Sequence, residues 1–325
     1  MIQGRRIFFL GVNTGYVENE TPTAQHIAFH EIRSGNGLYC TIVGNVLTPR
    51  GHATNAVCAR ISKSPQWKQL AEGIQRSGAI PGIQLSSTWQ EYLGLKKFKT
   101  IDPIETINDY KIIAKSFHNN DIIEFYSDLQ QASDIAIETG FKHIQLHAAH
   151  GYLYNLLLDP YFSPNYTVAR ELTEKWADNL RTRGIESSIR ISIKFGVPHL
   201  DDQVERLNET IQVGCDYIDI SQGLYNVNKR VIYPSTSETL DSRWKMNITL
   251  ARKNPGLRFI ASGRLQNYRT NLDALPENLE LGICRDLIAN PNFLQDFANG
   301  CENKMKCHYF SRGTPNLSCG KWIED

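Results

Sequence analysis

Short apolar runs alternate with longer stretches of helical period along most of this 325-residue chain. Apolar runs bounded by turn residues are typical of buried strands, and stretches with apolar residues at intervals of three and four indicate amphipathic helices. The runs that predict strands are Ile7–Val12, Tyr39–Gly44, Ile80–Leu85, His143–His147, Ser188–Lys194, Tyr217–Ser221, Arg258–Ser262 and Leu279–Cys284.

The clearest predicted helix begins at Asp121 and ends before Gly140. Asp121 and Glu124 have the spacing of a capping box, and a glycine is a common residue just past the end of a helix. The segment Ser86–Asn120, which precedes this helix, is a long excursion between two units of the pattern. Excursions of that length are usually lids or binding loops.

Alternating strands and helices predict a parallel sheet, and about eight such units at this length predict the α/β class and a closed (β/α)8 TIM barrel. We expect a single-domain barrel over residues 1–298 and a C-terminal tail over 299–325. An open, doubly wound sheet is the alternative. It would carry a glycine fingerprint after its first strand, and the glycines of Gly11-Val12-Asn13-Thr14-Gly15 have the wrong spacing.

Composition supports a globular protein with a sizeable core, because 41% of the residues are hydrophobic and 21% are charged. The formal net charge of +1 gives no bulk attraction to nucleic acid or to an anionic membrane, and no apolar stretch has the length of a membrane span. Residues 1–11 are basic and then apolar, but they lack a cleavage site and predict a first strand rather than a signal peptide. The seven mostly isolated cysteines indicate reduced thiols in the cytoplasm.

Two imidazoles and a phenol lie at or just beyond the end of the fourth predicted strand: His147, His150 and Tyr152. The carboxyl ends of barrel strands form the catalytic rim of this fold, and all three groups can donate to a substrate atom. The spacing of the histidines also suits a metal pair, and a purely structural pair is a further alternative. No obvious third ligand follows, so we predict oxygen binding and no metal.

Other polar or small residues fall at the predicted strand ends. Small residues after the last two strands suit a phosphate cradle of backbone N–H groups. Each residue alone also has a structural interpretation, but their joint placement indicates a binding site. These residues are Asn13, Thr14, Gly44, Gln84, Arg190, Gly263, Cys284 and Arg285.

Three segments resemble the old yellow enzyme family of FMN-dependent ene-reductases, nearest to its branch with a His–His rather than a His–Asn pair. They are Gly140–Leu157, Gly82–Leu85 and Cys284–Pro291, and weaker similarity lies in 36–51 and 259–263. The resemblance implies an enzyme in which FMN passes hydride from NAD(P)H to an electron-poor C=C bond, such as that of an α,β-unsaturated carbonyl. It also implies a small-molecule substrate and a homodimer or homotetramer.

The resemblance further implies roles for individual residues. His147 and His150 would hold the activating oxygen of the substrate, Tyr152 would protonate its carbon, and Tyr16 would contact the substrate. On the FMN, Gln84 would meet the pyrimidine edge, Arg190 the N1 region, Asn13 or Thr14 the C4 carbonyl, and Gly44 would offer its backbone. Gly263, Cys284 and Arg285 would bind the phosphate.

The chain departs from the family pattern at several points, which indicates a divergent member. Asp159–Thr167 replaces the family's Arg-Thr-Asp-x-Tyr-Gly-Gly-Ser segment, which shapes the mouth of the site, and Cys284 replaces a glycine. An isomerisation or an oxidative dehydrogenation at the same flavin, or a non-catalytic flavin-binding accessory protein, are therefore the alternative functions.

The C-terminal tail carries a group of potential metal ligands: Cys301, Cys307, His308 and Cys319. Related multidomain dienoyl-CoA reductases have a four-cysteine iron–sulfur site near this position. Here the spacing differs and no fourth cysteine follows, so unligated thiols are expected, with structural zinc as the alternative. This tail is expected to pack on a neighbouring subunit or over the site.

Overall fold

Eight parallel strands close into a barrel in the computed structural model, which describes residues 4–201, 210–265, 269–303 and 307–322. The strands of the described part are β1 (Ile7–Phe9), β2 (Val17–Glu18), β3 (Thr21–Pro22), β4 (Cys40–Leu47), β5 (Ile80–Ser86), β6 (His143–Ala148), β7 (Glu186–Ser192), β8 (Tyr217–Ser221), β9 (Phe259–Ser262) and β10 (Leu279–Ile283). Strands β2 and β3 form a separate antiparallel hairpin, and β1 pairs with both β10 and β4 to complete the barrel.

Helices follow most strands and cover the outside of the barrel. They are α1 (Ala24–Glu31), α2 (Pro65–Arg76), α3 (Pro103–Ser116), α4 (Asn119–Glu138), α5 (Leu153–Leu158), α6 (Tyr166–Thr182), α7 (Pro198–Asp201), α8 (Lys229–Ile232), α9 (Ser237–Lys253), α10 (Arg285–Ala289) and α11 (Tyr309–Arg312), with a 3₁₀ turn at Arg269–Ala274. Within the described ranges, no helix combines the length and the apolar character that crossing a bilayer requires.

The core lies between the barrel and its helices. Helix α4 shows how the sequence builds it, because its apolar residues recur on one face and Ile122, Leu129 and Ala132 are fully buried there. The strands are buried on both faces, as expected of a parallel sheet covered by helices. A smaller cluster, which includes Tyr110, Phe162 and Phe195, lies under α3.

All eight predicted strands are confirmed, and the closed barrel rules out the doubly wound sheet. The prediction for β1 was too long at its carboxyl end. The strand ends at Phe9, and the last bond toward β10 is the one that the N–H of Leu10 donates to the carbonyl of Ile283 at 2.8 Å.

The predicted start of the helix at Asp121 was wrong. Helix α4 begins at Asn119, and the Asp121 carboxylate accepts from the N–H of His118 at 2.7 Å. Asp121 is therefore in the first turn of the helix and caps it from inside. Gly140, with φ of +102°, follows the end of the helix as predicted. The excursion 86–120 contains helix α3 rather than loop alone.

The tail folds back onto the barrel. Its Leu317 is buried and donates its N–H to the carbonyl of Thr14 at 2.8 Å, while the Trp322 indole donates to Ile288 at 2.9 Å. Residues 304–306 and 323–325 of the predicted tail lie outside the described residues. The boundary between 298 and 299 stays a prediction.

Candidate active site

One large pocket opens where the barrel strands end at their carboxyl side. The space among its walls amounts to about 1470 Å³, counting the part that is open to solvent. Nine of the predicted site residues line it together: Asn13, Gln84, His147, His150, Tyr152, Arg190, Gly263, Cys284 and Arg285. Strands that are far apart in sequence therefore deliver these residues to one place, as expected for this end of a barrel.

Three predicted residues do not line the pocket. The Thr14 hydroxyl lies 3.1 Å from Nδ1 of His26, and the Tyr16 hydroxyl donates to the carbonyl of Leu317 at 2.6 Å. Gly44 lies within β4, behind the side chain of Gln84; a Cβ at Gly44 would come within 2.7 Å of Cβ of Gln84. Its backbone therefore gives room to Gln84 rather than forming a wall of the pocket.

His147, His150 and Tyr152 form a compact group. The ring centroids of the two histidines are 5.2 Å apart, and those of His147 and Tyr152 are 4.9 Å apart. His147 is at the end of β6, and a turn with φ of +64° at His150 brings the second imidazole back toward the first. Three groups that donate hydrogen bonds thus share one wall of the pocket.

Both imidazoles are neutral at neutral pH. Burial lowers the pKa of His147 to about 3, with a further contribution from the charge of Arg190. Burial, together with His147 and Arg190, also holds the pKa of His150 well below its ordinary value. A neutral imidazole offers one N–H donor, and Nδ1 of His147 has no hydrogen-bond partner among the described residues.

Ser221, at the end of β8, contacts both His150 and Arg190. Its hydroxyl oxygen lies 2.8 Å from Nε2 of His150 and accepts from Nη2 of Arg190 at 3.3 Å. The hydroxyl can donate to Nε2 or accept from it, so this contact orients the imidazole in either tautomer.

Tyr152 keeps its proton. It is buried, its ring lies 5.7 Å from that of Tyr92 and 6.2 Å from that of Tyr225, and burial raises its pKa well above the ordinary value. Such a phenol can act as an acid only toward a strongly basic atom, such as a carbon that has just gained electron density.

The other end of the pocket is rich in arginine. Arg243, Arg264 and Arg285 all line it, and the Nε atoms of Arg243 and Arg264 are buried donors without a partner in the described structure. Burial, together with the charges of Arg190 and Arg285, lowers the pKa of Arg243 to about 9. Unused donors and excess positive charge suit an anion such as the phosphate of FMN.

Two further lining residues suit the ring system of FMN. Gln84 and Arg190 come from β5 and β7, the strands on either side of β6, and Arg190 donates to Asp219 at 2.6 Å. Burial raises the pKa of Asp219, whereas the guanidinium of Arg190 opposes that shift. The residues present therefore fit FMN at both its ring and its phosphate.

Some lining residues were not found from the sequence. Arg243 lies in α9, where nothing in the local pattern separates it from the exposed basic residues of the same helix. Ser221, which contacts His150 but does not itself line the pocket, was within reach, since it is the last residue of a correctly predicted strand. The tail adds His308, Tyr309 and Leu317, and so covers part of the pocket, one of the two placements expected for it.

The predicted mouth loop and cysteine group have other placements. No residue of 159–167, all of which are described, lines the pocket; Phe162 instead packs in the cluster under α3. Cys284, Cys301 and Cys307 line the arginine-rich end as free thiols. In the described part of the chain, no three His, Cys, Asp or Glu side chains are grouped as metal ligands.

Comparison with known proteins gives consistent results. The profile of the NADH:flavin oxidoreductase / NADH oxidase family matches residues 5–165. Over 173 residues the chain is 23% identical to putative 12-oxophytodienoate reductase 2 of Oryza sativa subsp. japonica, and over 170 residues it is 28% identical to the probable NADH-dependent flavin oxidoreductase YqiG of Bacillus subtilis (strain 168). Each match covers 50% of this chain and 44% of the relative.

Among solved structures, a 2-naphthoyl-CoA reductase in complex with 2-naphthoyl-CoA is similar over 97% of this chain and 54% of that chain, with a TM-score of 0.74. The sequence identity is 14%, so this likeness shows the shared fold. The chain thus spans about half the length of the proteins that it matches.

Proposed function

Because this chain belongs to the NADH:flavin oxidoreductase / NADH oxidase family, which implies FMN with NAD(P)H as reductant, we propose that it is an ene-reductase of the old yellow enzyme type. Its substrate would be a small molecule with an electron-poor C=C bond next to a carbonyl or a related group. The observation that carries this proposal is the shared pocket wall of His147, His150 and Tyr152.

The two imidazoles would bind the activating oxygen of the substrate. As neutral donors, one N–H of His150 and one N–H of His147 would stabilise the negative charge that this oxygen gains as hydride arrives at the β carbon. One preorganised donor of this kind is worth about 3 kcal/mol of activation free energy. Both groups stay neutral across the physiological range because their pKa values are low.

Tyr152 would then supply the proton. Hydride delivery to the β carbon leaves an enolate whose α carbon is basic, and the buried phenol would protonate that carbon. Bound FMN would supply the hydride, which it first takes from NAD(P)H. In this scheme Arg190 would lie near the flavin N1, Asn13 near C4, and Gly263, Arg264, Cys284, Arg285 and Arg243 around the phosphate.

Spectroscopy and product analysis test this function. We expect the purified protein to be yellow, to release FMN on heating, and to lose its flavin absorbance when NADH or NADPH is added without oxygen. Addition of a cyclic enone should restore the oxidised spectrum and yield the saturated ketone in an amount equal to the flavin present.

The outcomes separate the alternative functions. Flavin that is reduced but not reoxidised by enones would rule out the ene-reductase. Conversion of an enone to an isomer without added reductant would establish the isomerase instead. A protein that fails to take up FMN would contradict the proposal at its root. The cytoplasmic location, the His–His branch and the homodimer or homotetramer stay predictions.

A further inference from the structure

Four polar side chains from four successive barrel strands form a continuous hydrogen-bonded chain in the barrel interior. Nε2 of Gln84 on β5 donates to Oε1 of Gln145 on β6 at 2.5 Å. Nε2 of Gln145 lies 3.5 Å from Oδ2 of Asp219 on β8, and Nη1 of Arg190 on β7 donates to the same oxygen at 2.6 Å. Gln84 and Arg190 line the pocket, whereas Gln145 and Asp219 are fully buried beneath it.

The carboxylate of Asp219 gives this chain a direction. A carboxylate paired with an arginine only accepts hydrogen bonds, so Gln145 must turn its NH₂ group toward it. The carbonyl oxygen of Gln145 then faces Gln84 and can only accept from the NH₂ group of Gln84. The Asp219 carboxylate, the only charged acceptor of this network, thus orients the amide of Gln145. The amide of Gln145 in turn orients that of Gln84.

The free end of this hydrogen-bonded network is the carbonyl oxygen of Gln84. This Oε1 lies against the backbone of Gly11 and Gly44, since a Cβ built on either glycine would come within 3.0 Å of it. No described residue donates to it, and both Gly11 and Gln84 belong to the described pocket. The wall therefore presents a hydrogen-bond acceptor at this point, in a place where only a donor makes a favourable contact.

We propose that Asp219 and Gln145 are positioning residues that hold the Gln84 amide with its carbonyl oxygen toward the pocket, so that it accepts from the N3–H group of FMN. This inference rests on the proposed function, since it needs FMN in the pocket. The N3–H group is the donor of the pyrimidine edge, which otherwise carries the carbonyl acceptors at C2 and C4. A Gln84 amide turned the other way would put its NH₂ group against that N–H.

The same carboxylate has a second, separable effect. Asp219 offsets the positive charge of Arg190, which would lie near the flavin N1. An uncompensated arginine there would favour the anionic reduced flavin and raise the reduction potential. Asp219 therefore acts on the potential by its charge, and on the orientation of Gln84 only through Gln145.

Two variants separate these effects. Gln145→Leu breaks the chain but leaves the Arg190–Asp219 pair, whereas Asp219→Asn removes the charge and allows Gln145 to turn over. Titration of the apoprotein with FMN and with 3-methyl-FMN, which lacks the N3–H donor, would measure the preference for the donor. The potential of bound FMN would be measured in the same proteins against redox dyes.

We expect wild type to bind FMN at least about 10-fold more tightly than 3-methyl-FMN, because an unsatisfied buried acceptor is costly. Both variants should bind FMN about 10-fold more weakly and lose most of that preference. The potential should rise in Asp219→Asn and stay unchanged in Gln145→Leu. Ser188→Ala is the control. It removes a buried hydroxyl of the barrel interior that lies 2.7 Å from Nε2 of His143, and it should change neither the preference for FMN nor the potential.

Several results would overturn the inference. One is a wild-type protein without preference between the two flavins, which needs no variant to fold. Another is a Gln145→Leu protein that keeps the full preference. If Asp219→Asn does not fold, the Gln145→Leu titration still decides. Failure of the wild-type chain to bind FMN at all would instead contradict the proposed function, whereas normal FMN binding with unchanged variants would contradict only this inference.

Discussion

The two ends of the barrel treat their buried and half-buried polar groups differently. At the amino-terminal end, Arg6 donates to the hydroxyl of Tyr217, Tyr39 donates to Glu186, and Glu186 also pairs with Nδ1 of His143 at 3.2 Å. Every one of these side chains has a partner. At the carboxyl-terminal end, Nδ1 of His147 and the Nε atoms of Arg243 and Arg264 have none among the described residues.

This difference indicates which end evolved for binding and which for stability. A buried donor without a partner costs about 1–3 kcal/mol, more when it is charged, and folded proteins pair nearly all such groups. Unpaired donors that gather in one pocket are therefore best explained by a ligand that pairs them. The amino-terminal network is satisfied by the protein itself and needs no ligand.

Tyr152→Phe should have the largest effect, because it removes the proposed acid from the carboxyl-terminal end. We expect the reoxidation of reduced flavin by an enone to slow by about 100-fold or more, the usual scale for losing a positioned acid. Flavin reduction by NADPH or NADH should change by less than about 3-fold. Stopped-flow absorbance measures both half-reactions separately.

Tyr92→Phe is the matched control for this prediction, since Tyr92 is a buried phenol in contact with Tyr152 that does not line the pocket. It should leave both half-reactions near wild type. Equal losses in both half-reactions of Tyr152→Phe would contradict its role as the acid.

Arg243→Met should weaken FMN binding by about 10- to 100-fold, because a charge-assisted hydrogen bond to the phosphate would be lost. The apoprotein should lose stability as well, because Nη2 of Arg243 donates to the carbonyls of Val231 and Ile232, whereas its Nε donor has no partner among the described residues. Fluorescence titration of the apoprotein measures the affinity, and urea unfolding measures the stability.

Arg33→Met provides the contrast, since Arg33 is buried outside the pocket and donates to the carbonyls of Leu287 and Phe29 at 2.8 and 3.0 Å. That variant should be less stable than wild type, but its folded fraction should bind FMN as tightly as wild type does. The reverse pattern would contradict the assignment of Arg243, which lines the pocket, rather than Arg33 to the FMN site.

Acid should destabilise the apoprotein through His147. The folded state holds the pKa of this imidazole near 3, whereas the ordinary value is 6.5. The unfolded chain therefore binds a proton that the folded chain does not, and stability falls as the pH drops from about 6.5 toward 3. One such group contributes at most about 1.4 kcal/mol per pH unit.

Denaturation of wild type and His147→Asn at pH 7, 6 and 5 measures this contribution. The stability of the variant relative to wild type should rise as the pH falls below 6.5 and should not depend on pH above it. A difference that stays constant across the whole pH range would show that folding does not change the pKa of His147.

Glu186→Gln should have the smallest effect and should act at the other end of the barrel. Burial raises the pKa of Glu186, but hydrogen bonds from His143 and Tyr39 and the charge of Arg6 outweigh it, so the pKa lies below the ordinary value. We expect a loss of about 1 kcal/mol at neutral pH. This loss should shrink as the pH falls through the pKa of Glu186, and FMN affinity should stay unchanged.

The barrel could be predicted because its signal is local. Tyr217–Ser221 has the same bounds in prediction and structure, since an apolar run between turn residues is enough to define a buried strand. The limits of β1 and α4 could not be predicted as well. They depend on how far β1 stays paired with its two neighbours and on which of several polar residues caps the first turn of α4.

The site was partly predictable for the same reason. Residues at strand ends, such as Gln84, Arg190 and His147, are placed by the fold itself. Asn13 and Thr14 could not be told apart, because the partner of Thr14 is His26, from a helix beyond the β2–β3 hairpin. Arg243 and the tail reach the pocket only through tertiary packing, which leaves no mark on the local pattern.

The attachment of Leu317 to Thr14 joins the last part of the described chain to one of its first turns. A growing chain that has not yet reached Leu317 lacks this wall, even when every barrel strand has been made. Since chains begin to fold from their amino-terminal side during synthesis, the barrel precedes its complete cavity in time. Stable capture of a cofactor in the finished cavity then waits until Leu317 has been made, and a chain interrupted before residue 317 would have a barrel with an unfinished wall.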